Sequence, residues 1–235
     1  MRVLPILFNT PMVQAVLAGT KTQTRRAITA PTLYTNRAPD RIEMMNVQKD
    51  DPDYGTFIFR WYGPDVVGGF ELKPKYLPGD VLYVRETWNV NNLREEGAKV
   101  EAGFIYKAAD APDYDFRWVE TTPEAYEKYE DGMSLYFDKW RPSIHMPKEA
   151  ARLWLRVTDV RAERLLEITE ADAEKEGLYR GWCSLPEASP ALSARQAFHW
   201  LWDSIIKPAD KVRFGWTADP WVWVIEFERI SKEEV

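Results

Sequence analysis

The chain has 235 residues, of which 45% are hydrophobic, 14% aromatic and 29% charged. This composition is typical of a folded globular protein with a substantial core, and it argues against disorder. The formal net charge of −6 excludes a protein that binds nucleic acid with its whole surface, because such a chain repels a polyanion except at a local basic patch.

The sequence contains one cysteine, Cys183, and two histidines, His145 and His199. An internal disulfide is therefore excluded, and a zinc site of cysteine or histidine ligands is not expected. There is no glycine-rich phosphate loop, so we expect neither a metal nor a cofactor. The apolar run at 1–8 is too short for a signal peptide, and no run approaches the ~20 apolar residues that span a bilayer. We expect a cytoplasmic protein that does not contact a membrane.

The first predicted strand is Val3–Phe8. A helix follows it, starting around Pro11, because proline suits the first helical turn, and running to Ala18. Gly19 ends this helix, as glycine commonly does just after the last helical residue.

A polar strand is predicted to begin at Lys21. Alternation puts Lys21, Gln23 and Arg25 on one face of this strand, and Thr24 and Arg26 on the other. The strand is too polar to be pure core. It is either an exposed, charged edge strand, or it carries a reactive lysine beside a hydroxyl, with guanidinium groups that hold an anionic ligand.

Two long insertions are predicted, at about 27–75 and 89–140. The first is rich in proline and has no helical periodicity, and within it Thr56–Trp61 and Gly69–Leu72 are predicted to pair as a hairpin. The second is predicted to contain one strand, Ala102–Lys107, and an acidic stretch rich in tyrosine.

Outside the insertions the predicted elements are regular. They are, in chain order, the turn Tyr76–Asp80, the strand Val81–Trp88, the constrained loop Arg141–Pro147, a strand within Ala151–Leu166 that is bulged or broken near Asp159, the short helix Thr169–Gly177, the loop Gly181–Pro190, the amphipathic helix Ser193–Ile206 and the strand Trp221–Phe227.

Strands dominate this list, and the first and last strands are apolar enough to be central. We therefore predict a mainly β protein with helices, of the α+β class. Its architecture is predicted to be a small closed or nearly closed β-barrel with short helices packed over its ends. The chain is predicted to be a single domain, 1–235, that carries the two insertions.

Four motif blocks occur in a fixed order along the chain. They are Ala18-Gly19-x-Lys21-Thr22-x-Thr24-x-Arg26, Pro78-Gly79-Asp80-Val81-Leu82, Thr169-Glu170-x-x-Ala173-x-x-Glu176 and Trp223-Val224-Ile225-Glu226-Phe227. In this order they resemble the ASCH domain of the PUA-like superfamily, which consists of RNA-associated β-barrels. The segments Gly79–Trp88 and Arg141–Pro147 resemble the long versions that phages and prophages carry, which implies the cytoplasm of a bacterial host.

The resemblance also implies a reaction. One compact branch of the ASCH family hydrolyses N(4)-acetylcytidine to cytidine and acetate, and the match implies Lys21 as general base, Thr24 as nucleophile and Glu176 as proton donor. A threonine hydroxyl needs an adjacent base, and a lysine serves as that base when burial or a nearby cation lowers its pKa. Because residues 21 and 24 fall on opposite faces of a regular strand, a shared site requires a bulge or turn between them.

Further candidates for binding a substrate or nucleic acid are Arg25 and Arg26, together with the group that ends the strand before the second insertion. In that group, Arg85 and Glu86 are predicted to line a pocket at the mouth of a barrel, and Trp88 to stack on a base. The alternative is that they form an ion pair at a strand end and contribute a core tryptophan.

Arg141 and His145 lie in a rigid polar loop and are candidates for hydrogen bonds to a ligand, although a lone histidine is more often structural. Cys183 is predicted to have no role. We expect a metal-independent amidohydrolase that acts on an acylated pyrimidine nucleoside. The alternatives are a module that binds RNA or a modified base without catalysis, a single-strand ribonuclease, and a structural phage protein. The expected partner is a modified nucleoside or single-stranded RNA.

Overall fold

The computed structural model describes residues 1–29, 41–44, 55–62, 67–97, 99–109, 117–131, 139–178 and 192–235. The predicted loop Gly181–Pro190, including Cys183, lies outside these residues. Strands account for 40% of the described residues and helices are few, so the fold is of the α+β class and mainly β, as predicted.

The described strands are β1 (Val3–Leu7), β2 (Gln23–Ala27), β3 (Arg41–Met44), β4 (Phe57–Tyr62), β5 (Val67–Leu72), β6 (Val81–Arg85), β7 (Trp88–Glu96), β8 (Lys99–Tyr106), β9 (Arg117–Thr121), β10 (Trp154–Arg164) and β11 (Trp221–Ile230). The described α-helices are α1 (Thr10–Leu17), α2 (Pro123–Asp131), α3 (Glu170–Lys175), α4 (Ala194–Ile205) and α5 (Lys211–Phe214). None of these helices has the length and apolar character needed to cross a bilayer.

The strands belong to three sheets, of five, three and three strands. In the part of the chain that the structure describes, no sheet closes on itself, so the predicted closed barrel is not observed. The chain divides into two compact units, each assembled from segments that are distant in sequence.

The first unit comprises Met1–Lys21, Val81–Arg156 and Glu228–Val235. In it, β1 runs parallel to β6, and the first residues of β10 pair antiparallel with β6. The antiparallel strands β7, β8 and β9 form a separate sheet. The core of this unit is built largely from the inner faces of these strands, with Trp88, Phe104 and Tyr129 in mutual ring contact.

The second unit comprises Thr22–Asp80 and Val157–Phe227. In it, β2 pairs antiparallel with β11, and β3, β4 and β5 form an antiparallel sheet. Apolar residues of α3, α4, β11 and the short 3₁₀ turn Leu165–Glu167 form one buried cluster. A second aromatic group joins Phe59 to Phe70 and Trp223.

Local sequence signals account for most helix ends. The side chain of Asn9 accepts a hydrogen bond from the backbone of Met12 at the start of α1, and Gly19 follows that helix with φ +75°. Ser193 and Gln196 form a reciprocal capping box at the start of α4. These are the positions where the first and last turns of a helix leave backbone groups unsatisfied.

Two predicted strand boundaries and the predicted content of the second insertion are wrong. The strand predicted from Lys21 begins at Gln23, and the strand predicted over Val81–Trp88 ends at Arg85, with β7 starting at Trp88. The insertion at 89–140 holds most of β7, all of β8 and β9, and α2, rather than one strand. The break predicted near Asp159 is also wrong, because β10 runs unbroken from Trp154 to Arg164. By contrast, the hairpin in the first insertion is confirmed as β4 and β5.

Candidate functional site

The segment that carries the predicted catalytic residues is not a regular strand throughout. Lys21 forms an isolated bridge, Thr22 has no strand assignment, and β2 starts at Gln23. The backbone N–H of Thr22 donates to the carbonyl oxygen of Lys175 at the end of α3, at 2.9 Å, and its carbonyl accepts from Phe227 N at 2.9 Å. The regular strand is therefore interrupted at Thr22, between Lys21 and Thr24.

The same segment is buried, although it is polar. Lys21 is 3% exposed, Thr24 1% and Arg25 3%, whereas Thr22 is exposed. The interpretation of this stretch as an exposed edge strand is therefore wrong for its side chains. β2 stands at the end of its sheet's strand order, yet its residues Gln23, Thr24 and Arg25 are buried.

Polar burial is concentrated around this stretch. Eight polar or charged residues are buried in the described part of the chain, and five of them belong to it or to the helix that follows β10. These five are Lys21, Gln23, Thr24, Arg25 and Glu176. Because burying an ionisable group is costly unless it is paired, the burial of each of these groups is maintained by specific interactions or by function.

Arg25 forms ion pairs with three carboxylates of the second unit. Its Nη1 lies 3.3 Å from Glu176 Oε1, and its Nη2 lies 3.3 Å from Glu163 Oε2 and 3.7 Å from Asp172 Oδ2. Its Nε is buried and has no hydrogen-bond partner among the described residues. The guanidinium carbon lies 6.0 Å from the centroid of the Phe198 ring. The charge of Arg25 is thus matched by protein carboxylates.

Glu176 is positioned by the end of α3. It is the C-cap residue, directly after Lys175, and its backbone N–H donates to Asp172 O at 3.0 Å. The helix itself starts with a reciprocal pair in which the side chain of Thr169 caps Asp172 N and Asp172 caps Thr169 N. Gly177 follows with φ +90° and ends the helix. Glu176 is 5% exposed.

Arg26 also lies in the electric field of Glu176. Burial lowers the pKa of the Arg26 guanidinium below its ordinary value, and electrostatic interactions with Glu176 and Tyr76 act in the opposite direction. An arginine side chain keeps its charge at neutral pH. Glu176 therefore has one guanidinium in direct contact and the charge of a second one acting on it.

Lys21 and Thr24 are fixed by their backbones. Lys21 follows the end of α1, and its backbone N–H donates to Ala15 O of that helix at 3.1 Å. Its Nζ lies 5.5 Å from the centroid of the Phe8 ring. Thr24 pairs with Ile225 in the register of β2 with β11. Lys21 belongs to the first unit, while Thr24 and Glu176 belong to the second. Their predicted roles remain predictions.

Glu86 and Arg85 take part in different contacts. Glu86 is buried and accepts two hydrogen bonds from Arg152, at 2.8 Å from Nε and 2.9 Å from Nη2. Burial raises the pKa of Glu86 above its ordinary value, and the pairing with Arg152 opposes this. Arg85 Nη1 donates to Ile144 O at 3.1 Å. The structural alternative of an ion pair at this strand end holds, with Arg152 as the partner.

The structure brings Trp88, Arg141 and His145 together at one cavity of about 550 Å³ in the first unit. Trp88 and Arg141 pair through two backbone hydrogen bonds, at 3.2 and 2.8 Å. Trp88 is 2% exposed, which fits the alternative of a core tryptophan. It nevertheless lines the cavity.

Sequence reasoning missed several residues around these sites. Asp172 was detectable, because Thr169-x-x-Asp172 is a capping pattern. Tyr129 and Lys128 lie on α2, which starts with Pro123 and an acidic first turn, a recognisable helix start. No local signal identifies Glu163 as a partner of Arg25, because the contact joins residues 138 apart.

Comparison of the chain with protein-family models, with curated proteins and with solved structures gives no match. Within the described residues, no group of three or more His, Cys, Asp or Glu side chains is arranged to hold a metal ion.

Proposed function

We propose that this protein is an amidohydrolase that removes the acyl group from a modified pyrimidine nucleoside such as N(4)-acetylcytidine, without a metal. In this proposal Thr24 is the nucleophile, Lys21 the general base and Glu176 the proton donor. The roles come from the resemblance to the ASCH domain. The supporting observation is that all three polar side chains are buried, at 3%, 1% and 5% exposure for Lys21, Thr24 and Glu176.

Burial matters to this chemistry in two ways. Desolvation makes the charged form of a lysine less favourable. A lysine must be neutral before it can accept a proton, so burial helps it to act as a base. A buried hydroxyl and a buried carboxylate also act in a medium of low dielectric constant, where electrostatic stabilisation of a transition state is stronger than in water. Solvent-exposed Lys, Thr and Glu side chains would offer neither effect.

The proposed reaction has two steps. The Thr24 hydroxyl attacks the amide carbonyl carbon of the acyl group, and Lys21 takes the hydroxyl proton. The C–N bond then breaks, the exocyclic amine of cytidine leaves with a proton from Glu176, and an ester forms on Thr24. Water hydrolyses this ester to release acetate and regenerate the hydroxyl.

The ion pair between Arg25 and Glu176 sets a condition on this reaction. A carboxylate that is paired with a guanidinium at 3.3 Å must first take up a proton before it can donate one. Glu176 takes this proton from solvent before the reaction, and Lys21 returns the proton that it removed from Thr24 to solvent, so the protons balance. Arg25 is a positioning residue in this proposal, because it holds the carboxylate and is itself covered by protein.

The proposal includes the PUA-like architecture that the resemblance implies. It is supported by the order of the four motif blocks in the sequence. The second half of the first block and most of the last block lie in paired strands, because Gln23–Ala27 pairs antiparallel with Val222–Glu226.

The direct test is to incubate the purified protein with N(4)-acetylcytidine and to measure cytidine and acetate by chromatography. Thr24→Val removes the hydroxyl with almost no change in shape, so we expect loss of at least about 100-fold in kcat/KM. Thr24→Ser keeps a hydroxyl and should retain measurable turnover. Lys21→Met should abolish turnover while the thermal unfolding midpoint stays measurable.

Thr22→Val is the matched control, because Thr22 is exposed and lies two residues from Thr24. It should leave turnover unchanged. Absence of turnover with a panel of acylated cytidines would contradict the proposal. Cleavage of single-stranded RNA that is lost in Thr24→Val would support the ribonuclease alternative, and salt-dependent RNA binding without any turnover would support a binding module.

A further inference from the structure

The cavity of the first unit has an unusual set of polar groups. It encloses about 550 Å³ and is lined by Trp88, Ala125, Lys128, Tyr129, Arg141, Pro142, His145 and Pro147. Two of these side chains are cations and none is a carboxylate. In a chain with a net charge of −6, a cavity of this composition attracts anions against a repulsive background.

The guanidinium of Arg141 is held in place at the cavity. Its backbone pairs with that of Trp88, and its Nε donates to Asn89 Oδ1 at 3.0 Å. The guanidinium carbon lies 5.4 Å from the centroid of the Trp88 ring and 6.0 Å from that of Tyr129. A guanidinium fixed against aromatic rings loses little conformational freedom when it binds an anion.

One hydrogen-bond donor on a residue that lines the cavity has no acceptor among the described residues. The indole Nε1 of Trp88 is buried and has no hydrogen-bond partner among the described residues. A buried indole N–H usually has a partner. Burial and the charge of Glu149 raise the pKa of Tyr129, so its phenol stays protonated and remains able to donate. The ligand that matches this set is rich in acceptor oxygens.

The remaining lining is apolar and flat. Pro142, Pro147 and Ala125 add carbon surface beside the two aromatic residues. A volume of about 550 Å³ lies within the range of sites for small molecules, and such sites combine apolar walls with a few convergent polar groups. The held guanidinium of Arg141, the exposed ammonium of Lys128 and an imidazole suit a doubly charged anion better than a single carboxylate.

We infer that this cavity is a binding site for a small phosphate monoester with an aromatic base, that is, a nucleoside monophosphate. The phosphate contacts Arg141 and Lys128, and the base packs against the aromatic and proline surfaces. This site lies entirely within the first unit, and its existence does not depend on the hydrolase proposed above.

The test is calorimetric titration of the wild-type protein with cytidine 5′-monophosphate, cytidine and inorganic phosphate in separate experiments. We expect saturable binding of the monophosphate with a Kd below about 1 mM, and binding at least about tenfold weaker for each of the other two compounds. Absence of saturation by the monophosphate at about 10 mM would overturn the inference.

Variants locate the bound molecule. Arg141→Gln should weaken binding about tenfold, and Lys128→Ala about threefold, because Lys128 is exposed and its charge is screened. Lys99→Ala is the matched control, since Lys99 is an exposed lysine of the same unit that pairs with Glu120 away from the cavity. Thr24→Val should also bind normally, so failure of the hydrolase proposal leaves this result intact.

A spectroscopic readout separates contact from a structural effect. The indole N–H resonance of Trp88, assigned from its absence in Trp88→Phe, should shift on addition of the monophosphate in a saturable way. An unchanged Trp88 resonance despite binding would place the ligand elsewhere and overturn the inference. Equal affinity for inorganic phosphate would show that the site binds an anion and does not recognise the nucleobase, which would overturn the inference. Much tighter binding of a short single-stranded RNA would show that the ligand is a polymer and not a mononucleotide.

Discussion

Arg25 Nη1 lies 3.3 Å from Glu176 Oε1, and both side chains are buried. This ion pair joins β2, which contains the proposed nucleophile, to the end of α3, which contains the proposed proton donor. Because Arg25 also contacts Glu163 and Asp172, one guanidinium balances three carboxylates. Four predictions follow from this network and from three other features of the fold.

Replacement of Arg25 should be more harmful than replacement of Glu176. Arg25→Met removes an ion-pair partner that three carboxylates share, of which Glu163 also pairs with Arg161, and breaking a buried pair in this way costs about 3–5 kcal/mol. Glu176→Gln leaves Arg25 with Glu163 and Asp172, so its cost should be clearly smaller. Urea unfolding monitored by circular dichroism measures the free energy of unfolding of both variants. Lys99→Met, which breaks an exposed pair, is the control and should leave the unfolding midpoint unchanged. Equal destabilisation by the first two variants would contradict a shared network.

The pKa of Glu86 predicts a pH dependence of stability. Burial raises this pKa above its ordinary value of 4.5, although Arg152 opposes the rise. The folded chain therefore holds this proton more tightly than the unfolded chain. The stability that results is present below the unfolded pKa and is lost as the pH rises through the folded pKa. Relative to Glu86→Gln, the wild type should become less stable as the pH rises from about 4.

Urea unfolding of both proteins at several pH values measures this difference. Arg152→Met is the informative companion variant, because loss of the cation that opposes the shift should raise the pKa of Glu86 further. The decline should then extend to higher pH. If the wild type instead became more stable relative to Glu86→Gln as the pH rises, the direction of the pKa shift would be contradicted.

Thr169 should affect both the helix and an acid. Burial acts to raise the pKa of Asp172, but hydrogen bonds from Thr169 and the charge of Arg25 outweigh it, and the pKa is lowered. Thr169→Ala removes the cap of α3, at a cost of about 1 kcal/mol, and should raise the pKa of Asp172. The part of this stabilisation that depends on Asp172 is present above its unfolded pKa and is lost as the pH falls through the folded pKa.

The titration of the Asp172 carboxyl carbon by NMR measures the shift directly in wild type and in Thr169→Ala. Thr169→Ser keeps the hydroxyl and should keep the low pKa. An unchanged titration in the alanine variant would assign the low pKa to Arg25 instead.

Gly79 should tolerate no side chain. It has φ +88° in the turn before β6, and its N–H donates to Val157 O at 2.8 Å. A residue with a Cβ is strained at this φ, so Gly79→Ala should cost about 1–2 kcal/mol. Pro78→Ala is the control, because alanine adopts the φ that proline imposes. Thermal unfolding compares the two. A control that is as unstable as Gly79→Ala would argue against backbone strain as the cause.

Some features of this protein were readable because their causes are local. The capping of α1 by Asn9, the turn at Gly79 and the helix after Thr169 each depend on residues within a few positions of one another. The hairpin of β4 with β5 also has a local cause, since its strands are near neighbours in sequence. The α+β class follows from these elements, and it is confirmed.

The sequence by itself determined that a lysine, a threonine and two arginines stand together after α1, and it indicated that their polarity needed an explanation. It did not determine their burial or their partners. Arg25 meets Glu163 and Glu176 across separations of 138 and 151 residues, and Arg141 meets Trp88 across the whole second insertion. Only the tertiary structure decided these contacts, because strand pairing and burial depend on which distant segments close the core, and no local propensity encodes that choice.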